Sequence, residues 1–288
     1  MLMLRSHAKV NLYLRVGPRR PDGFHDLVSW FCSLGLADEL EVGKTSAGAA
    51  GAVTLTCDQP DVPCDGRNLI LRAAASLGET SRPALDIHLR KRIPMGGGLG
   101  GGSSNAAAAL RGLQEVWGMR LSPEREMEIA AQLGSDVPFF LRQPSAICRG
   151  RGEQVTPVAP PAARACLLLL PPIAMPTPVV YRKFDEMGLG TDLDLVETKL
   201  PRTDLPTNEL LRLLSNDLEP PAFAISPELA KIRNRAEQLA QRPIRMSGSG
   251  STLFTLYDRE PQAQDAAREM QQALGISCLG CSLGRSAL

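Results

Sequence analysis

The sequence predicts an α+β fold in two domains. Three observations carry that expectation. A strand with strict apolar/polar alternation opens the chain, a glycine-rich loop stands between a strand and a strong helix pattern, and Pro157, Pro160 and Pro161 mark a shift in composition. The 288 residues are enough for two modest domains with buried cores, placed here at 1–157 and 158–288.

The opening strand is the clearest element. Ala8, Val10, Leu12, Leu14 and Val16 alternate with His7, Lys9, Asn11, Tyr13 and Arg15. Residues two apart share a face, so Lys9 and Asn11 stand side by side opposite the apolar set. A turn follows through Gly17, Pro18, Pro21, Asp22 and Gly23. Trp30 to Leu36, Glu39 to Val42 and Val53 to Cys57 read as short strands, and Leu85, Ile87 and Leu89 alternate again. Helices are expected over Asn68–Leu77, Asn105–Trp117 and Pro123–Leu133, with a short one starting at Asp136. In the second half, Arg164–Leu170, Thr252–Tyr257 and Ile276–Leu283 read as strands. Pro227–Gln241 and Pro261–Leu274 read as helices, the first with Leu229, Ile232, Ala236 and Leu239 on one face. The stretch from Gly188 to Leu214 gives no clear pattern.

Composition narrows the function. A formal net charge of +1 and few aromatics argue against nucleic acid and acidic membranes and towards a small-molecule partner. No segment is long and apolar enough to span a bilayer, and the first residues lack a signal-peptide core, so a cytoplasmic protein is expected. Seven scattered cysteines do not form a secreted disulfide framework. Cys278 and Cys281 are read as cysteines of a C-terminal strand, since no second pair has zinc spacing.

The most unusual stretch is Pro94-Met-Gly-Gly-Gly-Leu-Gly-Gly-Gly-Ser-Ser-Asn105, followed by four alanines. Without Cβ atoms this backbone takes left-handed angles and approaches a ligand closely. Its N–H groups can converge on an anion, and the helix it enters adds free N–H groups and a favourable dipole. Ser103, Ser104 and Asn105 are expected at the capping positions, and a Cβ at Gly100 is expected to stand against a bound triphosphate. A Gly/Ser linker would not sit between a strand and a strong helix. Gly96, Gly98 and Gly101 satisfy G-x-G-x-x-G, but another helix follows where a dinucleotide fold needs a strand. No Gly-Lys-Ser/Thr closes the loop, which excludes a Walker P-loop. A phosphate cradle of another lineage remains.

That loop resembles the second motif of the GHMP kinases, and the run Gly98-Leu-Gly-Gly-Gly-Ser-Ser-Asn105 resembles most closely the branch acting on diphosphocytidyl-methylerythritol. Ala8-Lys-Val-Asn-Leu12 is similar to that branch's first motif. Arg245-Met-Ser-Gly-Ser-Gly-Ser-Thr252 is similar to the third GHMP motif, a second glycine turn formed here by Ser247, Gly248, Ser249 and Gly250. The resemblance covers nearly the whole chain. It implies a two-domain fold with the active site in the interdomain cleft and phosphoryl transfer from ATP, with Mg2+, to an alcohol. The loop residues Pro94, Gly96, Gly97, Gly98, Leu99, Gly100, Gly101, Gly102, Ser103, Ser104 and Asn105 are then expected to hold ATP, with Asn68 near the adenine. Asn68 serves equally well as a helix cap.

The resemblance also implies a catalytic pair. Asp136, in Gly134-Ser-Asp-Val-Pro138, is the implied base and Lys9 its partner. Taken alone, Asp136 reads as a helix N-cap and Lys9 as part of a solvated strand face. Ser103 or Ser104 is a candidate magnesium ligand. Phe24-His25 resembles the branch's cytosine-gripping pair, with Tyr181 on the other side of the base and Asn11 and Thr177 also against the substrate. Core packing is the competing reading for both rings. A mevalonate- or homoserine-type kinase would use the same cradle without needing Phe24 and His25. An inactive ligand sensor would have no need of Lys9 and Asp136.

Overall fold

The computed structural model describes residues 1–46, 48–78, 82–193 and 200–284. Its first layer is a sheet built on one long antiparallel pair, β1 (Leu2–Arg19) and β2 (His25–Lys44), in register from Leu2 against Val42 to Arg19 against His25. The two short strands expected at Trp30–Leu36 and Glu39–Val42 are one strand. The pairing goes from His7 opposite Ala37 to Lys9 opposite Ser33, so Gly35 lies in an irregularity within that strand, where a Cβ would run into Ser282. The register of β1 shifts between His7 and Lys9 and again between Asn11 and Tyr13. Such bulges re-aim side chains, and they bracket the two polar residues singled out above.

β4 (Leu85–Arg90) and β3 (Val53–Cys57) extend the sheet beyond β2, and β5 (Ser145–Arg149) pairs with another part of β2 and with β6 (Gln154–Pro157). Helices α1 (Leu69–Ser76), α2 (Gly101–Trp117), α3 (Pro123–Leu133) and α4 (Val137–Arg142) cover one face. The alanine run lets α2 lie close to the strands: Ala106, Ala107 and Ala109 are buried beside Leu40, Leu85 and Ile87.

A second sheet has the order β11 (Ser277–Ser282), β7 (Ala165–Leu170), β10 (Leu253–Tyr257), β9 (Arg245–Met246). The helices α5 (Thr177–Glu186), α7 (Glu219–Ile225), α8 (Pro227–Ala240) and α9 (Glu260–Leu274) pack against it. Between the sheets runs one apolar cluster, in which Val10, Leu12 and Trp30 of the first meet Leu168, Phe254 and Leu256 of the second. Two residues from the later half, β8 (Ser215–Asn216), return to pair with β1 in parallel.

Three helices were not expected. α5 and α7 carry prolines in their first turns, which read as breakers although the first turn has no intrahelical N–H to lose. Part of the unpatterned stretch 188–214 forms α6 (Thr207–Leu213), while residues 194–199 lie outside the described residues. The apolar stripe of α8 is narrower than its pattern suggested. Leu229 and Ala236 are buried, whereas Leu239 is exposed.

Candidate active site

A cavity of about 1010 Å³ is bordered by residues of both halves. Its floor is the glycine loop. Gly96, Gly98 and Gly100 have φ of +67°, +75° and +70°, so every second residue is left-handed. Three consecutive carbonyls are held by protein donors. Thr252 N–H donates to Gly97 O (3.3 Å), Ser247 Oγ to Gly98 O (2.9 Å) and Lys9 N–H to Leu99 O (3.0 Å). Across a trans peptide the C=O and the next N–H point in opposite directions. The N–H groups of Gly98, Leu99 and Gly100 therefore face away from these donors. This is how a backbone nest is set up for an anion.

The loop runs directly into α2, which starts at Gly101 rather than Asn105. Gly100 is the N-cap and offers no side chain, so the first N–H groups of α2 have no side-chain cap. Ser103, Ser104 and Asn105 are thus inside the helix, not at its capping positions. Ser103 lines the cavity next to the turn bearing Asp136: a Cβ on Gly134 would stand 3.9 Å from Ser103 Oγ. Ser104 is buried and does not border the cavity.

The glycines are not equivalent. A Cβ on Gly100 would press on the Phe140 ring at 2.8 Å and Lys9 Cγ at 3.1 Å, so it points into the protein and not towards a triphosphate. A Cβ on Gly102 would meet nothing nearer than Leu69 Cδ1 at 3.9 Å. Gly102→Val therefore fills cavity space without disturbing the loop's packing. Calorimetry should show ATP affinity lowered about tenfold with circular dichroism unchanged, the effect of about one lost nucleotide contact. Unaltered affinity would separate ATP from this end of the loop.

The polar face of β1 is not solvated. Lys9 and Asn11 are 3% and 4% exposed, and both border the cavity. Lys9 Nζ donates to Asn11 Oδ1 (2.6 Å), lies 3.4 Å from Asp136 Oδ2 and sits 4.6 Å above the Phe31 ring. Asn11 Nδ2 donates to Ser29 Oγ (2.9 Å), which donates to Tyr13 O (2.7 Å). A buried ammonium costs several kcal/mol unless paired, so this chain fixes Lys9 in place. Asp136 stands at the N-cap of α4 but makes no capping bond. Its side chain is 32% exposed, so the carboxylate faces both Lys9 and the cavity.

At the other end His25 packs on Tyr181, ring centroids 5.2 Å apart, and edge-on to Phe184 at 5.6 Å. Its Nδ1 faces Gly17 O at 3.0 Å, and its Nε2 lies 3.2 Å from Asp185 Oδ1. Both ring nitrogens thus have partners within the protein. Burial pushes the Tyr181 phenol up, with the Asp136 charge adding to it, so it stays neutral. Phe24 is half exposed at the rim, with the Arg151 guanidinium 4.8 Å from its ring. Thr177 Oγ1 and Ser249 Oγ are 2.8 Å apart, which ties α5 to the third glycine motif. Gly248 and Gly250 are left-handed, and Asn216 Nδ2 donates to Met246 O and Gly248 O. Asn68 Oδ1 accepts from Ile70 N–H and its Nδ2 donates to Pro63 O, so it caps α1 while bordering the cavity.

Lys91, Arg151 and Asp185 border the cavity and were not anticipated. Asp185 belongs to the unread helix α5. Lys91 and Arg151 lie outside any recognised motif, and their only signal was a basic residue near a glycine turn.

The chain matches the family model "GHMP kinases N terminal domain" over residues 68–143 and "GHMP kinases C terminal" over 200–276. It is 37% identical over 276 residues to a 4-diphosphocytidyl-2-C-methyl-D-erythritol kinase of a Geobacter species, covering 95% of this chain and 96% of that one. It is 38% identical to another of the same name from Pelotomaculum thermopropionicum, covering 91% and 92%. The crystal structure of a 4-(cytidine 5'-diphospho)-2C-methyl-D-erythritol kinase superposes with a TM-score of 0.77 at 36% identity, over 99% of this chain and 100% of that one. With matches of this extent in sequence and in structure, the chain belongs to the GHMP kinases, and within them to the family of 4-diphosphocytidyl-2-C-methyl-D-erythritol kinases.

Proposed function

We propose that the chain transfers the γ-phosphoryl group of ATP to the 2-hydroxyl of 4-diphosphocytidyl-2-C-methyl-D-erythritol, the compound its relatives are named as kinases of, and that this is a step of isoprenoid precursor synthesis. One observation carries the reading. The Lys9–Asp136 pair borders the same cavity as the glycine loop and the His25–Tyr181 stack. The loop N–H groups and the start of α2 take the phosphates. Asp136 accepts the hydroxyl proton as the hydroxyl oxygen bonds to the γ-phosphorus and the bond to the β-phosphate oxygen breaks, leaving ADP. Lys9 stabilises the charge that develops on the transferring group.

Mg2+ fits the donors present. Ser103 Oγ and the Asp136 carboxylate are hard oxygens on the cavity wall, and the described residues contain no three-ligand cluster of His, Cys, Asp and Glu. A magnesium ion held by one or two protein oxygens plus phosphates and water suits that set. When bound, it spreads the phosphate charge. No described helix is long and apolar enough to cross a membrane. We assign the enzyme to the cytoplasm, where ATP is available and its free cysteines stay reduced. We retain a division at 157/158 between an N-terminal and a C-terminal kinase domain, with β8 as a strand the second contributes to the first.

Phe24, His25, Tyr181 and Thr177 form the cytidine end in this reading. A base entering there takes over the His25 Nε2 contact now made by Asp185. Cytosine and uracil differ in donor and acceptor pattern at that edge, and a mismatched base leaves polar groups unpaired. His25→Ala should raise KM for the cytidine substrate and narrow its advantage over a uridine analogue, with KM for ATP unchanged. If the ratio of the two kcat/KM values stays at its wild-type level, His25 serves only to join Gly17 to Asp185. A coupled assay across methylerythritol, mevalonate, homoserine and galactose substrates tests the choice of acceptor itself.

A further inference from the structure

Asp38 lies in the middle of β2, wholly buried, and is not part of any motif. Four donors converge on it. Oδ1 accepts the N–H groups of Arg92 (2.6 Å) and Ile93 (2.7 Å); Oδ2 accepts Lys91 Nζ (2.6 Å) and Asn105 Nδ2 (2.9 Å). Residues 91–93 lead into the glycine loop, and Asn105 lies in the helix just beyond it. One carboxylate therefore closes the loop: Oδ1 holds the backbone of the entry, and Oδ2 joins the Lys91 ammonium of the entry to Asn105 of the exit. Lys91 Nζ also donates to Ile93 O (2.7 Å), and a Cβ on Gly101 would stand 2.9 Å from it. The ammonium thus sits against the first residue of α2.

We infer that Asp38 is a positioning residue for ATP: it holds both ends of the glycine loop at the separation at which the loop's N–H groups meet the phosphates. The inference rests on reading the loop as the phosphate cradle. Six glycines in one segment carry large conformational freedom. A loop ordered only by its ligand would spend binding free energy on that ordering, whereas one already closed does not. The loss of Asp38 should thus be felt in ATP affinity, ahead of the chemical step and ahead of acceptor binding.

The test uses the full chain and ATP itself, measured by calorimetry and by steady-state kinetics. Asp38→Asn keeps the acceptor for Arg92 and Ile93 but turns an amide towards Lys91 and Asn105. We expect the Kd and KM for ATP to rise about tenfold, with kcat at saturating ATP and KM for the acceptor within about threefold. Contrary to the expectation that it holds ATP, Asn105 commits its amide N–H groups to Ser6 Oγ (2.6 Å) and Asp38. The exchange Asp38→Asn with Asn105→Asp therefore puts the carboxylate on the other side of the shared contact, and should recover most of the lost affinity. A folded Asp38→Asn protein with wild-type ATP affinity overturns the inference, as does equal loss of kcat and of both KM values. If the single variant does not fold, the exchange protein decides. Folded and tight for ATP, it supports the clasp; folded and weak, it refutes it. Gly102→Val reports separately on whether the loop meets ATP at all, so failure of the cradle is distinguishable from failure of the clasp.

Discussion

Asp136→Asn is expected to lower turnover by about two orders of magnitude or more, the usual worth of a positioned general base. The replacement keeps size and shape, so packing gives no reason for the loss. It removes the proton acceptor and the charge 3.4 Å from Lys9. Asp136 makes no capping bond to α4, so the helix loses nothing with the carboxylate. The ammonium keeps its contacts with Asn11 and the Phe31 ring. The buried ammonium nonetheless loses the opposite charge beside it, so the thermal midpoint should fall, while ATP affinity should move by less than about threefold, since the loop carbonyls are held by Lys9, Ser247 and Thr252 and not by Asp136. Single-turnover measurements would place the defect in the chemical step. A folded Asp136→Asn enzyme turning over near the wild-type rate would return the residue to a purely structural role.

The same residue shows what the sequence could and could not reveal. An Asp before Val-Pro-Phe-Phe has the local features of a cap; the family resemblance pointed to Lys9 as its partner, and the fold turns its side chain to Lys9 without a capping bond. For Lys9, alternation alone suggests a solvated face, yet β2, the glycine loop and the Asp136 turn enclose it. Long-range packing is what converts a polar stripe into a site, and no local pattern encodes it. The glycine loop was legible because its φ values require glycine at Gly96, Gly98 and Gly100. The start of α2 was misplaced because glycine disfavours helix interiors, while at Gly101 the space a Cβ would need in the first turn is taken by Lys91 and Ile93. Asp38 was invisible for a similar reason. Asp38 falls in the gap between the strands expected at 30–36 and 39–42 and looks like a turn residue until the segment 91–93 and Asn105 close over it.

Gly98→Ala should be the most damaging single methyl in the loop. Two costs combine. Gly98 has φ +75°, and a left-handed angle costs a residue with a Cβ about 1–2 kcal/mol. The new Cβ would also collide with the Ser247 carbonyl oxygen, with Ser247 C at 3.1 Å and Gly250 O at 3.3 Å behind it. These are backbone atoms of the third glycine motif, so no rotamer change relieves the clash. The two glycine turns must separate, which breaks the Ser247 Oγ to Gly98 O bond and frees the carbonyl to rotate. Once it rotates, the N–H of Leu99 turns with it and leaves the phosphate side. We expect ATP affinity to fall about a hundredfold, roughly 2.7 kcal/mol, together with a lower thermal midpoint. Gly96→Ala is the control. Its φ of +67° carries the same dihedral cost, but its Cβ would meet nothing within 4 Å. That variant should lose stability by about 1–2 kcal/mol and keep ATP affinity within about fivefold. The difference between the two variants measures the docking of one glycine turn on the other. Equal losses of ATP affinity in both would mean that the loop binds through its own dihedral angles and owes nothing to Ser247.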